Sequence, residues 1–211
     1  MRRTIFSEEH DLFRAEFRRF AENELLPHNE RWIESGISDR SAWKRMGEGG
    51  FLGANQPEAY GGAGGDFLFN AIIMEELADL RLHALQASLH TDICMPYLTT
   101  WGTEEQKQRW LMPAIAGDCL LAIAMTEPST GSDLANVSTK AIRDGDHYVL
   151  NGSKTFISCG QNADLVIVVC KTDPEASPPH DGVSLLLVEA GTPGFEKGRN
   201  LKKLGLKGQD T

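Results

Sequence analysis

The sequence predicts an α+β protein. An all-helical part over residues 1–117 is followed by a small antiparallel β domain, a barrel or sandwich, over residues 118–211. Two observations lead to this division. Up to Gly117 apolar residues recur at helical spacing between recognisable caps; beyond Asp118 they gather into short β-forming runs separated by turn pairs. No internal repeat or low-complexity tract blurs this change of texture.

The helices follow in order. Ser7 is the N-cap of a first helix that carries Leu12, Phe13, Phe17, Phe20 and Leu25 on one face, and Pro27 should kink or end it. A short second helix starts at Ser38 or Asp39 and brings Trp43 and Met46 towards Phe51. Asp66 caps a third, with Leu68, Ile72, Ile73 and Leu77. Residues 82–101 read as a fourth, closed by Gly102. Thr103 with Gln106 three residues on is a capping box for the next, which carries Trp110, Leu111 and Ile115 and stops at Gly117.

In the second part, residues 120–125 form a short apolar run. Runs at 141–143, 147–150 and 153–157 are separated by Asp144-Gly145 and Asn151-Gly152, pairs that accept positive φ cheaply and so signal hairpins. Residues 165–170 and 183–189 are β-forming runs split by a Pro178-Pro179 loop, and Thr192-Pro193-Gly194 makes a further turn.

Composition narrows the function. With 21 Lys+Arg against 30 Asp+Glu the net charge is −9, which excludes nucleic acid as the main partner because phosphate binding needs a clustered basic surface. Only residues 197–207 are locally basic, and they read as a solvated edge. No apolar run approaches the ~20 residues that span a bilayer, and the N-terminus passes directly into charged, helix-like sequence without an apolar signal core. The expected location is a bacterial-type cytoplasm, or the mitochondrial matrix for a processed eukaryotic protein. Cys94, Cys119, Cys159 and Cys170 form no Cys-x-x-Cys pair and read as free thiols. The sequence stops after Leu206-Lys207-Gly208-Gln209-Asp210-Thr211 without a closing helix, and is expected to be part of a longer protein with a β edge left unpaired at its end.

Several motifs carry no chemistry. The cluster Gly61-Gly62-Ala63-Gly64-Gly65 lacks both the Gly-x-Gly-x-x-Gly spacing and the Lys-Ser/Thr of a phosphate loop. His83 and His90 lie seven apart, with no His-Glu-x-x-His and no third ligand, so no metal site is expected. Gly131-Ser132-Asp133 lacks the flanks of a nucleophile elbow, and the adjacent Glu75 and Glu76 diverge on a helix.

One segment is informative. Ile123-Ala124-Met125-Thr126-Glu127-Pro128-Ser129-Thr130-Gly131-Ser132-Asp133 leaves a strand and enters a loop dense in hydroxyls, glycine and proline. Such a loop presents backbone N–H groups and short donors to an oxygen-rich ligand, although an ordinary capped turn fits it equally. A second polar-ended run, Lys154-Thr155-Phe156-Ile157-Ser158-Cys159-Gly160, follows Asn151-Gly152. Taken alone, Phe156 reads as core and Ser158 as a satisfied turn residue. Together the two ends could frame a flat aromatic ligand.

The order of these segments resembles the acyl-CoA dehydrogenase family, and its long-chain members most. Thr126-Glu127-Pro128-x-x-Gly131-Ser132-Asp133 is similar to the family's first flavin motif and Asn151-Gly152-x-Lys154-x-Phe156-Ile157-Ser158 to its second. Glu24-Leu25-x-Pro27, Tyr60-Gly61-Gly62, Gly102-Thr103-Glu104-Glu105-Gln106 and Leu204-Gly205-x-Lys207 support it, so that the likeness covers essentially the whole chain. The chain departs at Ile123, where many members carry an aromatic or other residue. It also has Phe156 for Trp, Ser158 for Thr, and Ser129-Thr130 for Gly-Ala; the side chain at Ser129 must be tolerated by the loop.

The resemblance implies a helical domain and a middle β domain of a FAD enzyme that introduces an α,β double bond into fatty acyl-CoA thioesters in β-oxidation. A carboxylate removes the α proton while the β hydrogen leaves as hydride to flavin N5. It implies that Ile123, Ala124, Met125, Thr126, Glu127, Pro128, Ser129, Thr130, Gly131 and Ser132 contact the flavin, with Met125 and Thr126 near the pyrimidine edge. Phe156, with Ile157 beside it, would lie against the flavin face away from substrate. Ser158 would sit near N5, and Ser132 would also touch the CoA portion of the substrate. The catalytic base belongs to a C-terminal helical domain beyond Thr211, so no residue here is nominated as catalytic, and the 211-residue chain is expected to be inactive and to hold FAD poorly. Electron-transfer flavoprotein is the implied acceptor and a homotetramer or homodimer the implied assembly. An acyl-CoA oxidase or flavin monooxygenase of the same fold, or a non-catalytic acyl-CoA-binding protein, are the competing readings.

Overall fold

The structure is a computed structural model that describes residues 3–211. Ser7 caps α1 (Glu8–Phe20) in a capping box with His10. Phe17 is fully buried, and the Phe13, Phe17 and Phe20 rings pack on Phe51 at centroid distances of 5.8, 4.9 and 4.8 Å. Pro27 does not end the helical path. A π-turn over Ala21–Leu25 and a 3₁₀ turn over Leu26–His28 absorb its missing N–H, and α2 (Asn29–Ser35) continues to a left-handed Gly36.

Asp39 precedes α3 (Arg40–Glu48), which buries Trp43 and Met46. The Asp66 carboxylate accepts the Leu68 N–H at 2.8 Å and starts α4 (Phe67–Asp79). α1 packs on α4, where the buried Glu76 takes Arg14 at 2.7 Å and Arg18 at 2.8 Å. The single helix expected over residues 82–101 is shorter: the chain turns irregularly up to Gln86, then runs through a π-turn (Leu89–Cys94) into α5 (Met95–Trp101). Apolar periodicity alone misplaced its start. The Thr103–Gln106 capping box opens α6 (Glu104–Gln106), and a π-turn at Lys107–Leu111 leads to α7 (Met112–Ile115). Gly117 has φ +75°, and a Cβ there would fall 2.3 Å from the Trp43 carbonyl oxygen, so only glycine fits that stop. Among the described residues no helix is long and apolar enough to cross a membrane.

The remainder forms one sheet of β1 (Leu121–Ala124), β2 (Lys140–Asp144), β3 (His147–Asn151), β4 (Leu165–Lys171) and β5 (Val183–Glu189). It is open rather than closed into a barrel. β2–β3 and β4–β5 are antiparallel, as the hairpin signals indicate, but β1 pairs with β4 in parallel, Leu121 opposite Leu165 and Ala124 opposite Val168, and β2 meets β4 in parallel at Lys140 and Lys171. The long connection between β1 and β4 permits a parallel crossover that no local turn signal reports. Residues 153–157, expected as a strand behind an Asn151-Gly152 hairpin, form no strand and lie outside the sheet. Beyond Glu189 the chain forms no further strand, so the expected unpaired edge is not a feature of residues 190–211.

One continuous core runs from Phe17 and Trp43 through Leu98 and Leu111 into Leu121, Ile123 and Val166. β4 sits at its centre, buried from Leu165 to Cys170. Arg40 ties the helices to the sheet through the Asn162 and Asp118 carbonyls, at 2.9 and 3.1 Å, and the Asp164 carboxylate, at 2.6 Å. These bonds fasten the start of α3 to the chain just before β1 and just before β4.

Candidate functional site

β1 ends at Ala124, and the side chains of Ile123 and Ala124 are buried in the core, so these two candidates offer only backbone to a ligand. Met125 and Thr126 are half-buried. Glu127 and Thr130 then exchange backbone hydrogen bonds, at 2.9 and 3.1 Å, closing a tight turn with Pro128 and Ser129 exposed at its tip. Ser129 is not among the residues with positive φ, so the side chain that replaces the family's glycine costs the backbone nothing. Gly131 and Ser132 follow, both exposed.

The second segment is fastened to the first. The Thr155 N–H donates to the Thr126 carbonyl at 2.9 Å, and Lys154 Nζ donates to the Met125 carbonyl at 3.0 Å and to Glu127 Oε1 at 2.9 Å. The Glu127 carboxylate also accepts the Ser138 and Thr139 N–H groups at 2.6 and 2.9 Å. Its burial by itself would raise the pKa; the hydrogen bonds from Thr139, Lys154 and Ser138 outweigh that and hold it at about 2. Glu127 is therefore an ionised structural anchor rather than a group that faces a ligand. Gly152 completes the join, because a Cβ there would lie 2.2 Å from Thr139 Oγ1.

Phe156 stands out. Its φ is +59°, a left-handed conformation that is costly for an aromatic residue, and its side chain is exposed, with the residue 67% accessible. The expectation of a core residue, drawn from residue type alone, does not hold. A strained backbone that presents an apolar ring to the outside is not explained by packing. Ile157 and Ser158 are half-buried beside it. The turn they enter is pinned from the far end of the chain: the Asp210 carbonyl accepts the Cys159 N–H at 3.0 Å, and its carboxylate accepts Gln161 and Asn162 N–H groups at 2.8 and 3.0 Å.

The structure thus brings together Met125, Thr126, Phe156, Ile157 and Ser158 as two adjoining segments with an aromatic face, hydroxyls and backbone polar groups. That donor set suits a planar heteroaromatic ligand. Among the described residues no group of His, Cys, Asp and Glu is arranged to hold a metal ion.

Residues 7–118 match the family model for the acyl-CoA dehydrogenase N-terminal domain, and residues 122–211 that for the acyl-CoA dehydrogenase middle domain. The chain belongs to the acyl-CoA dehydrogenase family. Among its relatives is the mitochondrial long-chain specific acyl-CoA dehydrogenase of Mus musculus, 49% identical over 209 residues that make up 99% of this chain and 49% of the relative. A crystal structure of an acyl-CoA dehydrogenase from Geobacillus kaustophilus superimposes with a TM-score of 0.95 at 53% identity, covering 98% of this chain and 55% of that one. A glutaryl-CoA dehydrogenase from Mycobacterium smegmatis, solved in complex with FADH2, superimposes with a TM-score of 0.88 at 32% identity, over 97% of this chain and 51% of that one. The chain spans about half the length of the curated relatives it matches.

Within this acyl-CoA dehydrogenase fold, sequence reasoning missed three participants. Lys154 stood in the second motif, but only its side-chain contacts show it as the link to the first. Gly152 signalled a turn and instead permits close approach to Thr139. Asp210 carried no local signal, since its partners lie some fifty residues away. The basic stretch 197–207 is not simply a solvated edge either: Lys197 Nζ donates to the Gln161 and Ala163 carbonyls at 2.9 and 2.6 Å, and burial lowers its pKa.

Proposed function

We propose that this chain supplies the flavin-binding and part of the substrate-binding surface of a FAD-dependent acyl-CoA dehydrogenase, residues 1–117 as a helical domain and 118–211 as the middle domain. The observation that carries the reading is the exposed Phe156 ring, held at positive φ beside the Met125–Thr126 backbone. These residues fit an isoalloxazine: Phe156 offers a flat apolar face, Met125 and Thr126 line the adjoining edge, and the Ser158 hydroxyl is available as a donor. Residues 123–132 and 156–158 are its proposed contacts, Ile123, Ala124 and Glu127 through backbone alone, with Ser132 also meeting the CoA portion of a fatty acyl-CoA thioester.

When bound, FAD supplies an acceptor for the hydride that leaves the acyl β-carbon. The protein's part is to orient it, to stack Phe156 on the face away from substrate, and to place fixed donors where negative charge accumulates. The α proton must go to a carboxylate. Glu127, the acid nearest these contacts, is held ionised by Lys154 and two backbone N–H groups and is too weak a base for that task. We assign the base to a helical segment outside residues 1–211. Electron-transfer flavoprotein is the proposed acceptor, a homodimer or homotetramer the proposed assembly, and the cytoplasm or mitochondrial matrix the proposed location.

The test is made on the natural gene product that contains this chain, by flavin absorbance and by acyl-CoA turnover with an artificial electron acceptor. It is expected to be yellow and active, with Ser158→Ala slowing flavin reduction. Residues 1–211 alone are expected to show no turnover; robust turnover by them would overturn the placement of the base.

A further inference from the structure

We infer that Lys154 is a positioning residue: its ammonium, locked to Glu127, fixes the distance between the Met125–Thr126 edge and the Phe156–Ser158 face of the ligand site. The inference rests on the flavin reading and adds to it a residue outside the proposed contacts.

The pair is buried, with side-chain exposures of 10% for Lys154 and 2% for Glu127. Taking both charges out of water is costly, and a buried ion pair is seldom the most stable filling for such a space, so stability alone does not account for it. Geometry does. Lys154 Nζ reaches the Met125 carbonyl and Glu127 Oε1 across 29 and 27 residues of sequence, and Glu127 in turn holds the amides of Ser138 and Thr139. Three backbone groups, the Met125 carbonyl and the Ser138 and Thr139 amides, thus converge on one ion pair that joins three stretches of chain. An apolar side chain at 154 would leave the Met125 carbonyl and one carboxylate oxygen without this donor.

The second observation is the strain two residues further on. A phenylalanine at φ +59° persists only where its surroundings over-determine it, and the exposed ring supplies no packing to do so. Lys154 and the Thr155 N–H, which donates to the Thr126 carbonyl, are the restraints immediately before it. Lys154 therefore acts on a ligand through the ring it holds in place and not by contact.

The experiment compares the natural gene product that contains this chain with its Lys154→Met, Lys154→Gln and Lys154→Arg variants and the remote ion-pair control Lys44→Met. FAD is titrated against the apo form of each, followed by the shape of the bound flavin's visible band, with urea unfolding measured in parallel. Lys154→Met is expected to weaken FAD binding about tenfold, ~1.4 kcal/mol, and to move the band towards that of free FAD. Lys154→Gln, which keeps a donor without the charge, should fall between, Lys154→Arg should restore most of the effect, and Lys44→Met should match wild type. Should Lys154→Met fail to fold, Lys154→Gln decides. Wild-type FAD affinity and band shape in a folded Lys154→Met or Lys154→Gln variant would overturn the inference alone. No saturable FAD binding by the wild-type gene product would remove the flavin reading and this inference with it.

Discussion

His90 accepts the Leu121 N–H on Nδ1 at 3.1 Å and donates from Nε2 to the Ala114 carbonyl at 3.0 Å, so one neutral imidazole joins the helices to the first residue of β1. The ring is 1% exposed and packs against Trp43 at 5.5 Å. Both nitrogens are satisfied by backbone, which accounts for the histidine without any metal.

That arrangement sets a pH dependence. Burial is the main cause that lowers the His90 pKa to about 4, against the Ala114 hydrogen bond and the Asp164 charge, which act the other way. The unfolded chain, with an ordinary histidine near 6.5, therefore binds more protons between pH 6.5 and 4. Stability is fully present above about 6.5 and is expected to fall as pH drops through this window, by at most ~1.4 kcal/mol per unit, levelling off near 4. Urea unfolding at several pH values reads this directly. His90→Gln should lose about 1–3 kcal/mol at neutral pH through unpaired buried groups and should flatten the slope; an unchanged slope would show that other groups cause it.

Phe156→Gly separates strain from function. Glycine accepts φ +59° freely and the lost ring is exposed, so the folded chain should be as stable as wild type or up to about 1 kcal/mol more so. FAD binding should weaken in the same variant. A clear loss of stability in urea would mean the ring packs against something and is no ligand platform.

The Asp210 carboxylate holds the Gln161 and Asn162 amides beside the buried Cys159, whose thiol pKa is pushed well up by burial and by the Asp210 charge. All four thiols are buried, and wild type should react slowly with a disulfide reagent such as DTNB. Asp210→Ala should cost about 1–3 kcal/mol and accelerate labelling at Cys159, located by mass spectrometry, while Asp210→Asn, which keeps an acceptor, should change little. Equal labelling in Asp210→Ala and wild type would contradict this role.

What the sequence disclosed was local. Ser7, Asp66 and the Thr103–Gln106 box each announce a helix start through a side chain that reaches only two or three residues, and the structure keeps all three. The Asp144-Gly145 turn lies between β2 and β3 for the same reason. What stayed hidden was decided at a distance. The parallel pairing of β1 with β4, the clamp of Asp210 on residues 159–162 and the ion pair of Lys154 with Glu127 all join residues whose neighbours in sequence say nothing of one another. Residues 153–157 show the conflict most plainly: their β-forming character is overridden by the Thr155–Thr126 bond and by the turn of Phe156. The motif resemblance located the two segments; the buried Glu127, the exposed Phe156 and the unstrained Ser129 needed the fold.

In the proposed function, residues 125–126 and 156–158 form one surface for a flavin ring. An amide NMR titration of the wild-type chain with FAD examines that surface residue by residue. Saturable shifts, of low affinity in this chain alone, are expected at Met125, Thr126, Phe156, Ile157 and Ser158. Saturable shifts centred elsewhere in the chain, or none up to the solubility limit of FAD, would contradict it.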